Sequence, residues 1–204
     1  MTRLLLVLGL TGGLATCAPP GGGAPPSPIQ SGGGEVGMDL SRSGTLRQDE
    51  FSLHLNATAL RIEITFLADW ILEAAAPDTQ SRLRRLAQSH GEGFRQDLGS
   101  PGSWTLALVT VSSSAPDTEF EPQDLQLVVR GLRQRPAGIR PITPEWGTGR
   151  VGQQISSMAV YAFPPDLDLT RDVSVEYGPY SDTSWSMKVP MIEAERRRSG
   201  GPPT

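Results

Sequence analysis

Two short segments in the first half of the chain alternate apolar and polar residues one by one. In residues 51–55 and again in residues 60–66, every second side chain is Leu, Ile or Phe, with Ser, His, Arg, Glu or Thr between them. A period of two places one side of a strand in a core and the other in solvent. The two segments therefore predict two half-buried strands.

Further strand signals follow along the chain. Residues 104–111 are apolar on both sides apart from their threonines, which predicts a central strand covered on both faces. Short strands divided by clusters of Gly, Pro, Asp and Ser are typical of a sandwich or barrel. We predict a mainly β fold, an immunoglobulin-like antiparallel β-sandwich. Its remaining strands are expected at residues 125–129, 155–163, 173–177 and 185–192.

One insertion, at about residues 68–90, interrupts the strand pattern with helical spacing and has Leu83 on its apolar face. Asp78 or Thr79 can cap the start of a helix here, and Gly91 can end it in a left-handed turn. We expect a helical hairpin that joins the second strand to the third and packs over one end of the sandwich.

The first residues have the pattern of an export signal. Arg3 precedes the apolar run at residues 4–10, which is too short for the roughly 20 residues of a membrane-spanning helix. Residues 14–17, Leu-Ala-Thr-Cys, resemble the lipobox of bacterial lipoproteins. The resemblance implies that Cys17 receives a diacylglycerol, that the leader is removed before it, and that the new amino group is acylated. A plain secretory signal cut after Ala18 is the alternative.

These features divide the chain into four parts. Residues 1–16 are predicted to be a signal peptide, and residues 17–37 a lipidated cysteine followed by a disordered Pro/Gly tether. Residues 38–198 form the predicted sandwich domain, and residues 199–204 a disordered tail. The expected location is the bacterial cell envelope, lipid-anchored, with the periplasmic or surface side of the outer membrane favoured.

The charge and the glycine pattern argue against two classes of ligand. A net charge of −4 argues against a nucleic-acid partner, which needs broad neutralisation of phosphates. Gly147, Gly149 and Gly152 fit the GxGxxG spacing of dinucleotide-binding loops, but Pro144 and its neighbours do not form the strand that this motif needs before it. A loop between strands is favoured there, and no cofactor is predicted.

Asp166, Asp168 and Asp172 are weak candidates for a metal site. Their carboxylates could surround a calcium ion, but apolar residues interleave them, and Arg171 stands where a calcium-binding loop has its glycine. The edge of a solvated strand is the favoured interpretation.

No catalytic residue is predicted. Glu119, Glu121 and Asp124 form an acidic cluster in which a paired-carboxylate hydrolase is conceivable, although an acidic turn is favoured. The sequence has no GxSxG motif for a nucleophilic serine. His54 falls on the polar side of a predicted strand, and His90 at the end of the predicted helix, where the helix dipole favours a positive charge.

Recognition is harder to exclude than catalysis. Residues 178–185 join two predicted strands, and Tyr180 at the tip of this loop is a possible recognition residue. Trp104 and Trp185 are expected in the core. The helical insertion could instead dock a partner through an apolar groove, provided that Trp70 and Ile71 are exposed.

Two functions of different class follow. The first is a lipid-anchored envelope protein with a non-catalytic binding or structural domain. It would be attached to the membrane through its N-terminal lipid, and its partner would be another envelope protein or a polymer. The alternative is an envelope hydrolase or metal-dependent enzyme that uses the acidic loops.

Overall fold

Short antiparallel strands form the sheets of the computed structural model, which describes residues 43–99, 103–165 and 167–200. Cys17 and the rest of the predicted leader and tether lie outside these residues, as does Asp166. The described part contains eleven strands: β1 (Leu53–Ala57), β2 (Leu60–Phe66), β3 (Thr105–Ser113), β4 (Thr118–Glu119), β5 (Leu125–Val129), β6 (Leu132–Gln134), β7 (Gly138–Pro141), β8 (Arg150–Val151), β9 (Ser156–Phe163), β10 (Val173–Tyr177) and β11 (Tyr180–Asp182).

Five of these strands form the larger sheet, in the order β1-β2-β3-β9-β7. Leu55 is opposite Ile62, which is opposite Val111, and all three side chains are buried on the inner face. The alternation read from the sequence therefore sets the register, because a slip of one residue would turn these side chains to the other face.

The second layer is a four-stranded sheet in the order β11-β10-β5-β6. Leu127 is opposite Val175 and Val129 is opposite Val173, and these apolar pairs are buried between the layers. Strand β1 contacts both β10 and β11, which brings the two sheets together. A small third sheet pairs β4 with β8. The mainly β, sandwich-like fold is thus confirmed, while the narrower immunoglobulin-like topology stays a prediction.

Helices cover the sheets. The insertion between β2 and β3 is helical as predicted, and it contains one short and one long helix. No helix in the described ranges is both long enough and apolar enough to cross a membrane. The α-helices are α1 (Gln48–Phe51), α2 (Asp69–Leu72), α3 (Pro77–Leu98) and α4 (Trp185–Arg198).

The predicted end of the long helix at Gly91 is wrong, because α3 continues to Leu98 and ends at Gly99, whose φ is 60°. The glycines inside the helix serve packing. A Cβ on Gly93 would lie 2.0 Å from Nη1 of Arg140, so the bare backbone leaves room for the guanidinium to cross the helix. Gly99, the glycine in the left-handed cap, comes six residues after Gly93.

The strand predicted at residues 185–192 is also wrong, because these residues begin helix α4. Trp185, Val189, Ile192 and Arg196 are buried, and their spacing of four, three and four residues is that of one helical face. Met187, which a strand would have buried beside Trp185, is 73% exposed.

Candidate functional site

A cleft lined by described residues lies where β2 ends and β3 begins. Beyond the end of β2, the amide of Leu67 donates to the carbonyl of Leu106 at 2.9 Å, which extends the sheet by one more bond. Trp104, immediately before β3, lines both a compartment of about 580 Å³ beside α3 and one of about 350 Å³ beside the segment that holds Leu169. We call the two compartments together the Trp104 cleft. Both are lined by Leu67, Asp69, Ser103, Trp104 and Leu106.

Trp104 contributes mainly apolar surface to this cleft. The side chain is half-buried, and its Nε1 is buried without a hydrogen-bond partner among the described residues. Leu67 is buried and Leu106 is half-buried beside it. The expectation that Trp104 belongs to the core is therefore only partly met, because part of its ring faces the cleft.

Helix α3 supplies one wall. Arg84, Ala87, Gly91 and Arg95 line the larger compartment at intervals of three or four residues, so they form one stripe along the helix. The helix lies close to the sheet here, since a Cβ on Gly91 would be in van der Waals contact with Cδ1 of Leu106 at 3.4 Å.

The rim of the larger compartment carries two charges of each sign. Arg84 Nε lies 3.7 Å from Asp69 Oδ1, and Arg95 forms an ion pair with Glu92 one turn earlier. Exposed pairs of this kind contribute roughly 0–1 kcal/mol each to stability, so they can exchange a partner for a ligand at little cost. The rim thus offers both donors and acceptors without a net charge.

The smaller compartment is held in place by helix α4. Trp185 Nε1 donates to the carbonyl of Leu169 at 2.7 Å, which fixes one wall. On the other side, the guanidinium of Arg196 lies 5.9 Å from the centre of the Trp70 ring and bonds Glu73 at 3.0 Å. These contacts tie both walls of the compartment to one helix.

The helical insertion does not present the apolar groove considered from the sequence. Ile71 is fully buried in the core, and Trp70 is half-buried under Arg196. A partner could not reach Ile71 without opening the domain.

The aspartates considered as metal ligands have other partners where they are described. Oδ2 of Asp168 accepts a hydrogen bond from Arg130 at 2.7 Å, and Oδ1 accepts one from the Thr170 hydroxyl at 2.6 Å. The Thr170 hydroxyl and Arg130 lower the pKa of Asp168. The backbone carbonyl of Asp172 accepts from the amide of Arg130. The described ranges contain no group of three or more His, Cys, Asp or Glu side chains placed to hold a metal ion.

The glycine pattern at residues 147–152 lies in a connection between strands. Gly147 belongs to a 3₁₀ turn, Pro144–Thr148, and Gly149 follows with a φ of 67°. The two-residue strand β8 comes next, where a dinucleotide-binding loop would start a helix.

The acidic cluster is spread along the surface. Glu119 lies 3.8 Å from Arg150, and the backbone amide of Glu121 donates to the hydroxyl of Tyr177 at 3.0 Å. Burial raises the pKa of that tyrosine. Glu119 and Glu121 are exposed, as is Asp124, so none lies in an enclosed site.

The position predicted for His90 is wrong, because α3 does not end there. His90 lies in the middle of the helix, where burial and the nearby Arg140 lower its pKa. The positive charge expected from a helix end is thus disfavoured.

Tyr180 lies at the start of β11 and is 37% exposed. Its hydroxyl shares a hydrogen bond of 2.8 Å with the hydroxyl of Thr58, which ties the β10–β11 hairpin to the turn between β1 and β2. Its recognition role stays a prediction. Trp185 is fully buried, as expected of a core residue.

Sequence reasoning missed most of the Trp104 cleft. The stripe of Arg84, Gly91 and Arg95 was readable as helical spacing, but treating Gly91 as a helix end cut it short. Asp69 and Trp104 reach the cleft only through the fold.

The chain matches no protein-family model, no curated protein and no solved structure. The class defined by fold and site is a β-sandwich-like domain with an aromatic cleft beside a long helix. A function must therefore be inferred from the geometry of this cleft.

Proposed function

We propose that this chain is a lipid-anchored cell-envelope protein whose sandwich domain binds a neutral, hydroxyl-rich envelope polymer in the Trp104 cleft, without catalysis. The observation that carries the proposal is the half-buried Trp104 ring, which lines both compartments, with a charge-balanced rim on the larger one.

The chemistry of the cleft favours this class of ligand. Aromatic rings offer a large rigid apolar face against which the carbon faces of a sugar ring can pack. The paired charges of Asp69 with Arg84 and of Glu92 with Arg95 supply acceptors and donors for hydroxyl groups. Because the rim has no net charge, it does not select a strongly charged ligand.

The shape favours an elongated ligand. Leu67, Trp104 and Leu106 line both compartments, so the two compartments adjoin each other. A chain of several units could contact the ring and occupy both compartments, whereas a single small molecule would fill one of them.

Binding is better supported than hydrolysis. Each carboxylate of the rim lies beside an arginine, Asp69 beside Arg84 and Glu92 beside Arg95. A glycoside hydrolase instead needs two carboxyl groups facing each other across the substrate, one of them able to donate a proton.

The proposed location in the cell envelope rests on residues 14–17, which resemble a lipobox. Cys17 would carry the lipid, and two or more acyl chains give durable anchoring. The Pro/Gly segment after it is about 20 residues long, and as a flexible chain it would span on the order of 25 Å. The domain would then reach polymer beyond the lipid headgroups.

The binding proposal is tested by calorimetric titration of the purified chain with soluble, uncharged oligosaccharides prepared from envelope polymer. We expect saturable binding that Trp104→Ala weakens at least tenfold, or about 1.4 kcal/mol, while Trp104→Phe retains most of it because a ring remains. Met187→Ala is the matched control, since this exposed side chain is not among the residues that line the cleft. Equal affinity of the Trp104→Ala variant and the unmodified chain would remove the cleft from the proposal.

The proposed lipid anchor is tested separately by mass spectrometry of the mature N-terminus after metabolic lipid labelling. We expect a diacylglycerol-modified Cys17 at the first position, and release of the Cys17→Ser variant from membranes. An unlipidated chain that begins at Pro19 would contradict the lipid anchor without bearing on the cleft.

A further inference from the structure

A second pocket, of about 330 Å³, lies at the turn between β1 and β2, beside the end of β3. It is distinct from the Trp104 cleft, since the two share no lining residue. We call it the Arg61 pocket. The side chains that matter for its chemistry are Asn56, Thr58, Arg61, Ser112, Ser114 and Gln154.

The strand register places three of these side chains in one row. Arg61 is opposite Asn56 on β1 and opposite Ser112 on β3. Directly opposed residues have Cβ atoms about 4.5–5.5 Å apart and point to the same side of the sheet. Their strand neighbours Leu55 and Ile62 are buried on the inner face, so this row stands on the outer face.

The polar groups of the row are unused. No side-chain hydrogen bond joins Asn56, Arg61 or Ser112 to any other described residue, and Arg61 forms no ion pair there. Arg133, on the other sheet, shows the ordinary arrangement of a surface arginine, with its Nε 2.9 Å from Oε2 of Glu176. The guanidinium of Arg61 is thus a free cation beside free neutral donors.

The pocket has no anion of its own. None of its lining residues is Asp or Glu, although acidic residues outnumber basic ones in the chain. The nearest acidic neighbour along β2 is Glu63, whose Oε1 accepts a hydrogen bond from Gln48 at 3.0 Å. The Arg61 pocket therefore has a positive charge that nothing in its lining compensates.

One contact stiffens the pocket. Thr58 sits in the β1–β2 turn with a φ of 53°, and its hydroxyl is held by the hydroxyl of Tyr180 at 2.8 Å. This bond fixes the turn against the β10–β11 hairpin, and it gives Tyr180 a positioning role at this site.

We propose that the Arg61 pocket binds a small oxyanion group, a carboxylate or a phosphate ester, with Arg61 as the charged donor and Asn56 and Ser112 as neutral donors. A guanidinium presents parallel N–H groups that match two oxygens of such an anion, and charge-assisted hydrogen bonds of this kind are about twice as strong as neutral ones. The proposal does not depend on the Trp104 cleft.

The test is a two-dimensional NMR titration of the full chain with inorganic phosphate and, separately, with acetate, at pH 7 and constant ionic strength. We expect saturable shifts centred on the amides of Arg61 and Ser112 and on the Arg61 side chain. Tighter binding of phosphate would identify phosphate esters as the ligand class, and tighter binding of acetate would identify carboxylates. Shifts that rise linearly with both anions, as with added chloride, would overturn the proposal.

Variants separate the pocket from general surface charge. Arg61→Gln should weaken binding at least fivefold, and Asn56→Ala or Ser112→Ala two- to threefold. Arg133→Gln removes the same charge from the other sheet and should leave the affinity unchanged. An equal loss in Arg61→Gln and Arg133→Gln would contradict the pocket, and unchanged melting temperatures would show that the variants remain folded.

Discussion

Helices α3 and α4 cover the same sandwich but are attached to it in different ways. Helix α3 lies on the sheet through close apolar contact: Phe94 is buried, and a Cβ on Gly138 of β7 would lie 2.9 Å from its ring. Helix α4 inserts one large side chain, Trp185, into the core. Its ring packs edge-on against that of Phe66, with 4.8 Å between the ring centres. The last turns of α4 are held largely by charges.

The charged end of α4 is attached to residues from other parts of the fold. Arg196 bonds Glu73 at 3.0 Å, Glu195 accepts hydrogen bonds from the amide and the hydroxyl of Thr45, and Arg198 donates to both Glu195 and the carbonyl of Ser43. Packing depends little on pH or salt, whereas ionic contacts depend on both. The attachment of α4 should therefore weaken in acid or high salt, whereas that of α3 should not.

The largest effect is expected from Trp185→Ala, which removes the anchor of α4. We expect a loss of about 3–5 kcal/mol in the free energy of unfolding, because a large buried ring and its hydrogen bond to Leu169 disappear together. Urea denaturation followed by circular dichroism measures it. Met187→Ala on the same helix should change stability by less than about 0.5 kcal/mol. Equal effects of the two variants would mean that Trp185 does not anchor the helix.

Phe94→Ala should cost about 3 kcal/mol by opening the contact between α3 and β7. Since no charge is removed, the loss should be the same at pH 7 and pH 3 in urea denaturation at both pH values. The control is Gln96→Ala, an exposed position on the same helix. A loss that depended strongly on pH would show that α3 is also held by ionic contacts.

The charged end of α4 should weaken in acid. The hydrogen bond from Arg198, with those from Thr45, lowers the pKa of Glu195 from 4.5 to about 2. A lowered folded-state pKa stabilises above the unfolded value and is lost as the pH falls from about 4.5 to about 2. Because Arg198 is partly exposed to solvent, we expect about 1–2 kcal/mol rather than the full shift.

The measurement is unfolding of Glu195→Gln beside the unmodified chain between pH 2 and 7. The variant should be less stable at pH 7 and nearly equal at pH 2, where about half of the Glu195 carboxyl groups of the unmodified chain are protonated. Glu145→Gln, at an exposed position in the Pro144–Thr148 turn, is the comparison variant. A constant difference at every pH would point to packing at Glu195 instead of its charge.

The smallest effect is expected at the one ion pair between α3 and β7, that of Asp97 with Arg140 at 2.6 Å. Asp97→Asn should cost less than about 1 kcal/mol, because the pair is exposed and Arg140 keeps its place over the Phe94 ring at 5.4 Å. Denaturation in low and high salt measures this loss, which should shrink further in high salt because an exposed ion pair is screened. A loss well above 1 kcal/mol in low salt would mean that α3, like α4, is held largely by charges.

The sequence predicted the strands of both sheets where polar and apolar residues alternate, because burial on one face requires that alternation. It misplaced α4 for the same reason: Trp185, Met187, Val189 and Met191 alternate with polar or proline residues, and only the fold shows that Met187 is exposed. Pro190 lies on the exposed side of the helix.

The candidate site was less predictable than the fold. The Trp104 cleft joins residues from the start of α2, the middle of α3 and the residue before β3, and no local pattern links them. The Arg61 pocket was easier to predict, because the alternation of polar and apolar residues in β2 already placed Arg61 on the outer face. The alternation did not show that Arg61 has no ion-pair partner among the described residues, because that depends on the neighbouring strands.

The contact between Ser43 and Arg198 brings the first and last described segments to within 2.7 Å of each other. Domains whose first and last segments lie close together generally tolerate being joined there and opened elsewhere. A circular permutant that links these segments and begins in the exposed Gly178–Pro179 turn should fold to the same two sheets. The order of the strands and helices along the chain would then be one of several connectivities compatible with these two sheets.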